Sequence, residues 1–249
     1  MKHLLLLLGS VALLALGCQT TDEMMESDMT ESDMSSESEM MADSMEAQEY
    51  LVTIQVVEGS PTPIAPVAWA VHSGPNPFLQ GDMGQKLPGL EALAEDGDPS
   101  QVNETLGSLM EVKSHGVANT PEMMSSPGPA TPGESYTFTV EASAGDKLSF
   151  ATMYVQSNDL FYSSGEEGLS LGGDMGVTGN VTRRVSLYDA GTEMNQEPGM
   201  GSSQPPRQSG PNSGTSEEKP IMMVDPGMAE FTYPPVNQVL RVTVEHAGM

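Results

Sequence analysis

Basic residues are scarce in this chain: nine Lys and Arg stand against 35 Asp and Glu, for a formal net charge of −26. That balance excludes nucleic acid and anionic lipid surfaces as main partners, since both are bound through basic patches. It fits a halophile-style surface kept soluble by acidic self-repulsion, or surroundings rich in divalent cations, and the first is preferred. Cysteine is nearly absent too. Cys18 is the single one, so an exported domain here must stand on its core or on bound metal rather than on disulfides. Catalytic signatures are missing as well. There is no Gly-x-Ser-x-Gly elbow and no Gly-rich phosphate loop opening a helix. Beyond the N-terminal region, His72, His115 and His246 are too far apart to show metal-ligand spacing.

The long apolar run is also short. It covers residues 4–16 and is broken by Gly9 and Ser10, whereas a membrane span needs about 20 apolar residues. Lys2 and His3 before it, and Ala15-Leu16-Gly17-Cys18 after it, make a secretory leader. Cys18 sits where a bacterial lipoprotein signal places its acylated residue. The expectation is a leader over 1–17 and a lipid on Cys18; an ordinary signal cut elsewhere would discard that cysteine. Gln19 after the cysteine, rather than Asp, favours the outer membrane by analogy with lipoprotein sorting.

Residues 19–49 hold eleven Asp or Glu, no Lys or Arg, and seven Met among Ser and Thr. Like charges this dense resist collapse, so 18–48 is expected to be a disordered tether that could reach roughly 100 Å at full extension. Thioethers are soft ligands that invite a copper reading. Without histidine among them, a solvated linker is preferred.

From residue 49 the texture changes. Tyr50-Leu-Val-Thr-Ile-Gln-Val-Val57 alternates as a strand does and stops at Gly59-Ser-Pro61. Further strands are expected over Val67–His72, Ser135–Ala142, 147–155, 182–187 and 239–245, each rich in Val, Thr or aromatics. Only 87–95 and 99–112 read as helices, the second with Leu106, Leu109 and Met110 at helical spacing and Ser100 as N-cap. The expectation is one mainly β domain over 49–249: an antiparallel β-sandwich with a short helical insertion and long ordered loops. Segment 118–133 is a Pro-rich connection. Segment 190–220 is long, irregular and too varied in composition for a linker, so it is read as an ordered loop.

Chemistry concentrates in carboxylates that follow strands. Asp159 lies in Val155-Gln-Ser-Asn-Asp-Leu-Phe-Tyr162, and Asp189 and Glu193 lie in Leu187-Tyr-Asp-Ala-Gly-Thr-Glu193. Such groups either converge on a hard cation such as Ca²⁺, completed by carbonyls and water, or simply bond turn amides. Glu95-Asp96-Gly97-Asp98 looks calcium-like but lacks the twelve-residue EF-hand frame, and reads as an acidic turn.

The same segments, with Val67-Ala-Trp-Ala-Val-His-Ser-Gly-Pro-Asn-Pro77 and Gln204-Pro-Pro-Arg-Gln-Ser-Gly-Pro-Asn212, resemble the spondin N-terminal domain family, in particular its bacterial branch. The resemblance runs from about residue 49 to 246. It implies an antiparallel β-sandwich with a bound calcium. Animal members read Ser-Pro-Asp-Trp-Phe and Asp-Ala-Gly-Thr-Asp, so Asp159, Asp189 and Glu193 match their acids and are the implied calcium ligands. Glu193 in place of Asp lengthens one arm by a methylene. This chain lacks the cysteines and repeats of the animal proteins, so their matrix adhesion does not carry over directly. The expected function is a lipid-anchored, extracytoplasmic binding or adhesion module for an unidentified surface or envelope ligand. The rival is a metal-assisted hydrolase of cell-surface carbohydrate, which would need a base beside the metal.

Overall fold

The computed structural model describes residues 47–81, 85–173 and 176–248. The leader, Cys18 and nearly all of the acidic segment lie outside the described residues.

The chain opens with β1 (Gln48–Val56), whose even-numbered residues from Tyr50 to Val56 are buried while their neighbours are half-exposed. β2 (Val67–His72) is followed by a 3₁₀ turn at Pro77–Leu79 and by two short helices, α1 (Leu90–Asp96) and α2 (Ser100–Leu106). Then come β3 (Val112–Ala118), β4 (Ser135–Ala142), β5 (Lys147–Met153), β6 (Leu160–Ser164), β7 (Leu169–Ser170) and β8 (Gly179–Asn180). A 3₁₀ turn at Thr182–Arg184 leads into β9 (Val185–Asp189), β10 (Met222–Met223), the single turn α3 (Val236–Val239) and β11 (Leu240–His246).

Two antiparallel sheets form a β-sandwich. One has the order β4-β1-β11-β8, and the other β10-β9-β6-β5-β2-β3, with β7 beside β5. Strand alternation explains how the second sheet is buried on both faces. Val67, Val71, Leu148, Phe150, Leu160, Tyr162, Val185 and Leu187 point at the first sheet and join the main core with Val52, Ile54, Tyr136 and Val242. Ala68, Ala70, Ala151, Phe161 and Tyr188 point outward into a second core with Leu90, Leu93, Val102 and Leu106 of the helices. Alanine at three of those outward positions leaves room for α1 and α2 to lie close to the strands.

The expected sandwich, helical insertion and ordered loops are therefore all present, with shifted boundaries. The first helix begins at Leu90 rather than 87 because Gly89 adopts φ +89°, and its missing Cβ makes room for the backbone of Val102. The second stops at Leu106. Segment 112–118, whose start was read as helix, is β3, and Met110 is fully exposed rather than on a helical face. Ser100 does not cap; Asp98 Oδ1 accepts from its amide at 2.9 Å. Residues 182–184 are a 3₁₀ turn, so the strand begins at Val185. β6 was not expected, because Leu160-Phe-Tyr-Ser-Ser164 is buried on both faces and shows no alternation.

Candidate metal centre

Register brings the two aspartates to one place. In the β6–β9 pair Leu160 faces Asp189, and one step further the Ala190 amide donates to the Asp159 carbonyl at 3.1 Å. Asp159 thus ends the loop before β6, and Asp189 closes β9. The Asp159 side chain is wholly buried. Its Oδ2 accepts from the Thr192 amide at 2.7 Å, the Thr192 hydroxyl at 3.2 Å and the Glu193 amide at 3.1 Å. Asp189 Oδ1 accepts from the Gly191 amide at 2.7 Å, closing an Asx turn, and Gly191 itself turns left-handed at φ +65°. Half of each carboxylate therefore does bond turn amides.

The other halves differ. Asp189 Oδ2 accepts from Asn195 Nδ2 at 2.6 Å. Asp159 Oδ1 is buried and has no hydrogen-bond partner. A buried carboxylate oxygen without a partner is costly. Burial, and then the charge of Asp189, push the Asp159 carboxyl up to about 7. Asp189 is raised as well, chiefly by burial.

Glu193 is 1% exposed and already engaged. Its Oε2 accepts from Asn158 Nδ2 at 3.2 Å and its Oε1 from the Gly214 amide at 2.6 Å. A Cβ on Gly214 would overlap that carboxylate. Glu193 also bridges Ser216, and the Glu217 and Lys219 amides donate to Thr192 and Gly191 at 2.8 and 3.0 Å. These bonds clasp the base of the long loop. Glu193 therefore braces the loop with both oxygens, and as a ligand it would have to share one of them.

Further oxygens surround the aspartates. Asn195 Oδ1 and Glu217 Oε1 are buried and unpartnered, as are both oxygens of Glu95. Glu95 stands in α1, 2% exposed, and burial followed by nearby groups, Glu193 and Asp159 among them, pushes it up to about 8. The acidic turn 95–98 thus includes one wholly buried acid. Among the described residues, no three His, Cys, Asp or Glu side chains are grouped so as to hold a metal ion as they stand. The donors are nevertheless the hard oxygens that Ca²⁺ prefers, and Asp159 Oδ1 is an acceptor without a donor. In that respect the residues fit the ion.

Asp189 and Asn195 also line an open cavity of about 290 Å³, with Met222, Met223, Met228 and Tyr233 around it. The loop beyond the clasp is held by the buried Gln204, which accepts from the Gly199 amide at 2.9 Å, and by Arg207, which donates to the Gly201 carbonyl at 2.8 Å.

No family model and no curated protein matches this sequence. The histidines have local tasks. Buried His72 contacts the Gly74 carbonyl at 3.0 Å and Ser149 Oγ at 2.8 Å, and burial lowers its pKa. His115 meets Asn103, and His246 lies on Tyr50. Asn76 is buried and fastens its loop to the end of β6 through Ser163 Oγ and the Ser164 carbonyl at 3.0 and 2.8 Å. Sequence reasoning set Glu95 aside as part of an acidic turn and gave Asn195 and Glu217 no site role. Helical spacing puts Leu90, Leu93 and Ala94 on one face and Glu95 off it, so no pattern in the sequence announced that its side chain is buried.

Proposed function

We propose that this chain is a lipid-anchored, extracytoplasmic binding module of adhesion type, resembling the spondin N-terminal domain, with a structural calcium ion at Asp159 and Asp189. Asp159 Oδ1, an unpartnered oxygen on a wholly buried carboxylate, carries this reading. Asp159 and Asp189 would hold the ion, with Glu193 beside them keeping the loop base in place. A bound cation would supply positive charge that keeps both aspartates ionised and ties the end of β6 to the end of β9. The cavity beside Asp189 offers methionines, which adapt to varied apolar partners, and so suits a binding role. The histidines, occupied in packing and turn contacts, add no support for a hydrolase.

Thermal melts of the full chain at millimolar calcium and in chelator test the reading. Calcium is expected to raise the Tm, by linkage to the folded state alone. Equal melting temperatures in the two conditions would sink the metal assignment. A substrate turned over by the wild type but not by Asp189→Ala would replace the binding module with an enzyme.

A further inference from the structure

Methionine is placed in this fold the opposite way from the other large apolar residues. Among the described residues, every exposed large hydrophobic is a methionine: Met110, Met123, Met124, Met194, Met200, Met222, Met223 and Met228, all more than half exposed. Met153, at 1% exposed, is the one described methionine in the core, which is otherwise built from Val, Leu, Ile, Ala, Phe and Tyr. That reverses the usual use of a flexible thioether as a filler of core gaps. Local structure does not account for it. The eight lie in the connection before β3, in the Pro-rich connection, in the long loop, and on or just after the edge strand β10. Met123 holds φ +69°, a conformation that suits glycine or asparagine better. Met222, Met223 and Met228 line the cavity beside Asp189, but the other five do not, so a partner in that cavity would explain fewer than half. What a thioether offers at an exposed position, and leucine or glutamine does not, is a sulfur that two-electron oxidants attack.

We propose that these exposed methionines form an oxidant-scavenging surface directed at hypohalous acids. With hypochlorous acid the sulfur bonds to chlorine as the O–Cl bond breaks and hydroxide leaves. Water then bonds to sulfur, chloride departs and two protons are lost, one of them neutralising the hydroxide. Sulfur is oxidised by two electrons to the sulfoxide, and chlorine is reduced by two to chloride. The fold survives because each new oxygen sits where the side chain already met water, whereas a sulfoxide in a core disrupts packing. Hypochlorous acid is uncharged, so the net charge of −26 does not hold it off. The seven methionines among residues 19–49 extend the same chemistry along the sequence. None of this depends on a cation at Asp159 and Asp189.

Titration of the full chain with hypochlorous acid tests the proposal, with peptide mapping by mass spectrometry and melts in chelator. The eight exposed methionines should gain oxygen before Met153 does, with the Tm held within about 4 °C until they are consumed. An added tryptophan peptide reports the oxidant that escapes. With the eightfold Met→Gln variant in place of wild type, that peptide should be lost at a dose lower by eight equivalents, one for each thioether removed. Oxidation of Met153 alongside the eight, or a larger fall in Tm while they react, overturns the proposal. So does loss of the peptide at the same dose with either protein. Should the eightfold variant fail to fold, the order of modification and the Tm of the wild type still decide.

Discussion

Replacing Glu95 by glutamine should stabilise this protein, although it removes an acid in the region of the candidate metal centre. Both carboxyl oxygens of Glu95 are buried with no well-formed hydrogen bond, and burial pushes its carboxyl up to about 8 from an ordinary 4.5, the nearby Thr192 hydroxyl, which is directed at Asp159, offsetting only part of the rise. A carboxyl raised on folding binds its proton more tightly in the native state than in the unfolded one. Its contribution is therefore most favourable below about pH 4.5, falls as pH rises, and levels off above about 8. At pH 7 the gap above the unfolded value is about 2.5 units, which at 1.36 kcal/mol per unit bounds the cost near 3 kcal/mol. Local relaxation reduces this, and about 1.5 kcal/mol is expected. Glutamine keeps the shape and never ionises. In chelator at pH 7, Glu95→Gln should raise the Tm by about 3–6 °C for a domain of this size. At pH 4.5 the two proteins should melt nearly together. Chemical denaturation at both pH values gives the same comparison as free energies. A variant less stable than wild type at pH 7 would refute the reasoning, by showing that the ionised carboxylate has a stabilising partner.

Asp159→Ala removes the acceptor of three hydrogen bonds from Thr192 and Glu193. It should cost about 2–4 kcal/mol in urea unfolding with chelator present, since buried amides are left unpaired. Ile54→Ala, at a wholly buried position of β1, should cost about 2–5 kcal/mol by cavity formation, independently of calcium. Gly116→Ala would bring a Cβ within 2.6 Å of the ring of Trp69, the sole tryptophan, which stacks on Phe138 at 5.3 Å. A shifted emission maximum should report it, and an unchanged spectrum with unchanged stability would argue against that contact.

Strands with one wet face were legible in the sequence. β1, β4 and β11 appear within two residues of expectation because burial on one face leaves a period of two, whereas β2, covered on both faces, was legible through its Val and Trp residues. β6 and β3 escaped for opposite reasons. β6 is buried throughout, while Lys113, His115 and Gly116 dilute β3 at the edge of its sheet. The Asp159–Asp189 juxtaposition was legible through the strand-end positions of both residues, since the β6–β9 register does the rest. Asn195 and Glu217 were not. Their approach depends on two limbs of an irregular loop meeting some twenty residues apart, and no local propensity encodes that. Glu193 was seen as one more acid, but its partner is a glycine amide, which leaves no pattern in the sequence.

The second sheet is the middle layer of three, and this bears on how the molecule fluctuates. β5 and β6 are buried almost end to end, between the main core and the helices, whereas β1 shows every second residue to solvent. Backbone amides covered on both sides open only with global unfolding. In hydrogen exchange β5 and β6 should therefore be the last to label, later than the longer β1. Asp159 stands immediately before β6, so its backbone is mounted on the stiffest element of the fold, while Asn195 and Glu217 ride on loop limbs that can open locally. Asp159 thus joins a fixed framework to a compliant loop through Thr192 and Glu193, and a ligand that tied the loop to the strand ends would slow exchange in the loop alone.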